Sequence, residues 1–165
     1  MREELLAEPI RVLLADDHPA LRVGLRVLLD RAPDIEVVGE TGDGPETLAQ
    51  IEALQPDVVV LDCELPGMPG AEVARQVRQR GLQTHVLALS AYSDDRYVQG
   101  MLEAGAVGYV LKEEAPETIA EAVRAAQRGQ ATFSPPVAAR AAAWARGDMT
   151  LSVMATTCAP RAWAA

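Results

Sequence analysis

Short continuous apolar runs alternate along the chain with stretches whose apolar residues recur every three or four positions. The runs are Val12-Leu13-Leu14-Ala15, Val58-Val59-Val60-Leu61, Val86-Leu87-Ala88-Leu89 and Tyr109-Val110-Leu111. Unbroken apolar character fits strands covered on both faces. The more mixed Ile35-Glu36-Val37-Val38-Gly39-Glu40 reads as an edge strand. Between the runs, helical spacing groups Leu21, Leu25, Leu28 and Leu29, then Leu48, Ile51 and Leu54, then Val73 and Val77. Val98, Met101 and Leu102 mark a fourth helix, and Ile119, Val123 and Ala126 a fifth. Gly81, Gly105 and Gly129 follow the last three helices at C′ positions, and Pro19 and Pro116 suit first turns. Five strand–helix units ending near Gly129 predict an α/β fold, a doubly wound five-stranded parallel sheet with helices on both faces. Residues 1–130 form the predicted domain. A helix from Pro135 to about Arg146 belongs to a linker-like segment over 131–148, and 149–165 are predicted to be a frayed or disordered tail.

Composition changes this picture little. The chain has 165 residues, of which 49% are hydrophobic and 24% charged, ordinary values for a folded domain. No apolar run nears the ~18 residues that span a bilayer, so no membrane association is expected. Met1-Arg2-Glu3-Glu4 does not read as a secretory signal, and two cysteines, Cys63 and Cys158, make no disulfide framework. A cytoplasmic protein is the expectation. Charge is unevenly spread. Residues 1–130 carry 12 basic and 23 acidic side chains, whereas 131–165 carry three arginines and Asp148. An acidic body repels phosphate backbones, so DNA binding by this chain alone is not expected.

The chemistry lies at the C-terminal ends of the predicted strands. Asp16-Asp17 follows the first, Asp62 the third and Lys112 the fifth, and Ser90 ends the fourth. Open parallel sheets bind ligands at that edge, where strand order reverses. In the order 2-1-3-4-5 the first and third strands are neighbours, so the acidic pair and Asp62 share a pocket with Ser90 and Lys112 beyond it. Three carboxylates repel one another, and a hard cation such as Mg²⁺ resolves the conflict. Lys112 is the only lysine in the chain. Such a set fits phosphoryl transfer to a carboxylate. His18, before Pro19, reads as a helix-entry residue rather than a ligand. Cys63 reads as packing and His85 as structural.

These residues resemble a known family. Leu14-Ala15-Asp16-Asp17-His18, Val60-Leu61-Asp62, Leu65-Pro66-Gly67-Met68-Pro69-Gly70, Leu89-Ser90-Ala91 and Gly105 to Lys112 are similar to response-regulator receiver domains of two-component signalling. The phrasing is most similar to the NarL/FixJ subfamily, whose receivers precede a LuxR-type helix-turn-helix. The resemblance implies a flavodoxin-like (CheY-like) fold and Asp62 as acceptor of a phosphoryl group from a sensor histidine kinase. It implies that Asp17 ligates Mg²⁺, with Asp16, Asp62 and the backbone carbonyl of Glu64 completing the metal set. Lys112 would contact the phosphoryl group, Ser90 would be the switch hydroxyl, and Tyr109 would be an aromatic switch turning inward on phosphorylation. The chain would be a phospho-acceptor rather than an enzyme. The face carrying Val98, Met101 and Leu102 would then be read by a partner or by a second copy in a homodimer.

The sequence departs from the family at Pro69, where Asp is common, and at Glu113-Glu114-Ala115-Pro116, where Asp-x-Ser-Pro is common. Ala115 is expected to cap its helix less well than serine. No helix-turn-helix pattern follows residue 130, which is read here as an output domain lost by truncation or frameshift. The alternatives are a stand-alone receiver signalling through protein contacts and, from Asp62-Cys63-Glu64, a haloacid-dehalogenase-like phosphatase.

Overall fold

The computed structural model describes residues 8–145. Its elements are β1 (Ile10–Ala15), α1 (Pro19–Asp30), β2 (Ile35–Thr41), α2 (Gly44–Leu54), β3 (Val58–Asp62), α3 (Gly70–Gln79), β4 (His85–Ser90), α4 (Asp95–Glu103), β5 (Gly108–Leu111), α5 (Ala115–Gln127), β6 (Thr132–Phe133) and α6 (Pro135–Ala145). The strands form one sheet in the order β2-β1-β3-β4-β5-β6, every neighbouring pair parallel. The five-stranded order 2-1-3-4-5 is therefore present, with β2 at its edge. It is extended by β6, whose Thr132 and Phe133 pair with Gly108 and Tyr109. Two residues carry no readable alternation, which is why the sequence pattern stops at five strands.

Side chains alternate across a strand, and that alternation divides the core in two. Leu13, Ala15, Val59, Leu61, Val86, Ala88, Tyr109 and Leu111 face α2, α3 and α4. Val12, Leu14, Val58, Val60, Leu87, Leu89 and Val110 face α1 and α5. The helices stop as their glycines predict: Gly81, Gly105 and Gly129 directly follow the C-caps of α3, α4 and α5, all at positive φ. Asp43 caps α2 by accepting the Glu46 amide at 2.8 Å. Ala115 is not a cap. It is the first residue of α5, fully buried, with Glu114 at the cap position and no side-chain cap bond.

The helix predicted from Pro135 is α6, and it packs against α4. Val137 and Ala141 are buried there, and Arg140 pairs with Asp95. Val98 and Met101 are buried in the core rather than displayed, which corrects the expectation that a partner reads them. Leu102 alone of that trio is partly exposed, beside Phe133, Ala138 and Ala142 of the added segment. The tail predicted over 149–165 lies outside the described residues. Among the described residues no helix is long and apolar enough to cross a membrane.

Candidate functional site

The pleat decides which strand-end residues meet. Asp62 continues the row of Val58 and Val60, while Ser90 continues that of Val86 and Ala88 on the other side of the sheet. Two groups result.

On the first side, Lys112 Nζ donates to Asp62 Oδ2 at 2.8 Å and lies 3.1 Å from Asp16 Oδ2. Asp16 and Asp62 are each only 2% exposed. Asp62 Oδ1 accepts the Glu64 amide at 3.0 Å, which folds the loop after β3 over the carboxylate. Burial pushes the Asp62 carboxyl up to about 6, with Lys112 and the Glu64 amide opposing it. Burial also works against the charge on Lys112, but Asp62 and Asp16 more than offset it, so its pKa is raised. Arg22 of α1 steadies the β1–α1 loop by donating to the Asp16 carbonyl at 2.6 Å and to Glu40 at 3.0 Å.

On the second side, Ser90 and Tyr109 are buried. Ser90 Oγ accepts the Tyr92 amide at 3.0 Å. Tyr109 is already turned inward, its hydroxyl donating to the Tyr92 carbonyl at 2.6 Å. Burial, together with the neighbouring Cys63, raises the Tyr109 pKa. Cys63 is fully enclosed, and burial pushes its thiol up to about 12, so it packs and does not react.

Gly70 makes the acceptor loop possible. A Cβ there would lie 2.3 Å from the Asp62 carbonyl, so only glycine lets α3 begin directly beneath β3.

The sequence reading missed one residue. His18 is the helix-entry residue it was expected to be, at the N-cap of α1. Yet its Nδ1 lies 3.1 Å from Asp16 Oδ1, 3.1 Å from Asp17 Oδ1 and 3.1 Å from Lys112 Nζ. Ligand atoms of Asp16, Asp17, His18 and Asp62 all fall within 4.8 Å of one another. The adjacent Asp16-Asp17 was the available signal. His85, by contrast, lines a cavity at the opposite edge of the sheet with Asp57 and Thr84.

The acidic set fits a divalent cation on its own geometry. Asp16 Oδ2 is buried and has no hydrogen-bond partner among the described residues, although Lys112 stands close. Three carboxylates against one lysine leave the pocket two negative charges in excess when His18 is neutral.

Residues 12–124 match the family of response regulator receiver domains. The chain belongs to that family. Among relatives, the transcriptional regulatory protein LiaR of Bacillus subtilis is 40% identical over 131 residues, 79% of this chain and 62% of LiaR. The nitrate/nitrite response regulator NarL of Escherichia coli is 39% identical over 127 residues, 77% of this chain and 59% of NarL. The receiver thus spans about three-fifths of the length of the curated relatives it matches. Among solved structures, the signal receiver domain of a NarL from Mycobacterium tuberculosis superposes with a TM-score of 0.73 at 40% identity, covering 75% of this chain and all (100%) of that one. A LuxR-family two-component response regulator from Aurantimonas sp. gives 0.76 at 35% identity, covering 82% of this chain and 96% of that one. This receiver is of the NarL/LuxR type; Asp62 ends its β3 and Lys112 directly follows β5.

Proposed function

We propose that this receiver accepts a phosphoryl group on Asp62 from a sensor histidine kinase, with Mg²⁺ as cofactor. The observation that carries the reading is the buried Asp62 carboxylate, held between Lys112 Nζ at 2.8 Å and the Glu64 amide at 3.0 Å. An Asp62 oxygen attacks phosphorus as the P–N bond to the kinase imidazole breaks. No proton needs removing from the ionised carboxylate, so catalysis is positioning and charge neutralisation. Asp16, Asp17, Asp62 and the Glu64 carbonyl would hold the cation, which supplies positive charge for the phosphoryl oxygens. Lys112 supplies the rest, and its attachment one residue beyond β5 ties that strand to the acceptor.

Ser90 and Tyr109 form the readout. Both contact Tyr92 in the β4–α4 loop, so drawing the Ser90 hydroxyl toward a phosphoryl group on Asp62 disturbs the Tyr92 amide bond. Loop and α4 respond as one element with two states. The name of LiaR, a transcriptional regulatory protein, supports regulation of transcription as the output. Signalling by protein contacts alone is the competing output, and the phosphatase alternative has no support from the family match. The receiver turns over no substrate other than its own aspartyl phosphate.

The test is intact mass after incubation with Mg²⁺ and acetyl phosphate. One added phosphoryl group is expected, lost in Asp62→Asn and without Mg²⁺. No addition to the folded chain, from acetyl phosphate or from histidine kinases, overturns the reading.

A further inference from the structure

We infer that His18 is a direct ligand in the acidic pocket and tilts the bound cation toward late first-row metals such as Zn²⁺. The inference rests on the proposed function only in needing the carboxylates of that site to hold a cation.

The backbone delivers the ring. Pro19 occupies the first turn of α1 and restricts the preceding residue to extended conformations; His18 has φ −98° and ψ 100°. Its imidazole is thereby set against the β1–α1 loop, with the side chain 66% exposed and reachable from solvent. Nδ1 lies 3.1 Å from a carboxylate oxygen of Asp16 and 3.1 Å from one of Asp17. Adjacent ligands around an ion with ~2.1 Å bonds stand ~3.0 Å apart. His18 Nδ1 thus lies at ligand-to-ligand spacing from a carboxylate oxygen of each residue. Asp62 completes a set whose ligand atoms all lie within 4.8 Å of one another.

A second observation points into the same space. Asp16 Oδ2 is buried without a hydrogen bond among the described residues. Lys112 Nζ is the cation that Asp16 and Asp62 share, and it stands 3.1 Å from His18 Nδ1. A divalent ion replaces that single shared contact with direct bonds.

Ligand type then sets preference. Carboxylate, carbonyl and water oxygens suit Mg²⁺, whereas imidazole suits Zn²⁺, Ni²⁺ and Cu²⁺. One nitrogen in an otherwise oxygen site strengthens binding of the second group and does little for the first.

The test is calorimetric titration of the full chain and of His18→Gln with Mg²⁺ and with Zn²⁺, beside ¹⁵N-histidine NMR of both proteins. Zn²⁺ affinity is expected to fall about tenfold or more in His18→Gln, with Mg²⁺ affinity nearly unchanged. The His18 Nδ1 resonance is expected to move on Zn²⁺ addition while that of His85 stays. Cys158 is common to both proteins, so its own Zn²⁺ binding cancels in the comparison. Mg²⁺ binding with no loss of Zn²⁺ affinity in the variant, equal losses for both metals, or a still His18 resonance overturns the inference alone. Failure of the wild-type chain to bind either metal overturns it together with the metal site itself.

Discussion

The hydroxyl of Tyr109 and the carbonyl of Tyr92 are joined at 2.6 Å across the top of the sheet. Tyr92 also gives its amide to Ser90. One peptide segment is thus held from both sides by residues on adjacent strands. Tyr109→Phe removes the donor and leaves the carbonyl to find another. A loss of about 1 kcal/mol in urea unfolding is expected, with the fold retained. Wild-type stability in the variant would show that the bond does not hold the loop.

Asp62 is destabilising in the metal-free chain. Its carboxyl ionises at about 6 when folded, against 3.8 as the ordinary value. Between those values the folded chain holds more protons than the unfolded chain, so stability falls as pH rises through the window. Above it the ionised group costs the fold roughly 3 kcal/mol at most. Asp62→Asn is expected to be more stable than wild type above pH 6 without Mg²⁺, the difference shrinking as pH falls toward 3.8. Unfolding curves at both ends of that range decide it. A variant no more stable at the upper end contradicts the burial cost.

Gly70 tolerates no side chain. Gly70→Ala must move the Asp62 carbonyl, 2.3 Å from the new Cβ. A destabilisation of about 1–3 kcal/mol is expected, as for overpacking elsewhere. Phosphorylation by acetyl phosphate should fall with it, because the carbonyl belongs to the acceptor residue. Unchanged stability and labelling would mean the loop relaxes freely.

Cys63 is expected to resist iodoacetamide in the folded chain and to react once urea unfolds it. Burial and a thiol pushed up to about 12 both act in that direction. Peptide mass mapping distinguishes it from Cys158. Rapid native labelling of Cys63 would contradict its enclosure.

Much of this fold was legible because buried parallel strands write themselves as runs such as Val58 to Leu61, and the acidic residues follow those runs directly. The burial of Val98 and Met101 on the inner face of α4 was not legible. A helix covered on one side by the sheet and on another by α6 shows a wide apolar stripe, and spacing alone does not say which part stays exposed. β6 was too short to signal, and the Arg140–Asp95 pair that accompanies α6 on α4 spans 45 residues. The surroundings of His18 were hidden for a related reason. Its place at the helix entry is local, but the closeness of its ring to Lys112 is set by a residue 94 positions away.

The central claim is that Asp62 receives the phosphoryl group. Borohydride reduces an acyl phosphate to the alcohol, so the phosphorylated residue becomes homoserine and can be located by peptide mass spectrometry. After incubation with acetyl phosphate and Mg²⁺, homoserine is expected at position 62. Homoserine at Asp16 or Asp17 instead, the one-carbon-longer hydroxynorvaline at Glu64, or no reduced residue in a folded chain that binds Mg²⁺, would contradict it.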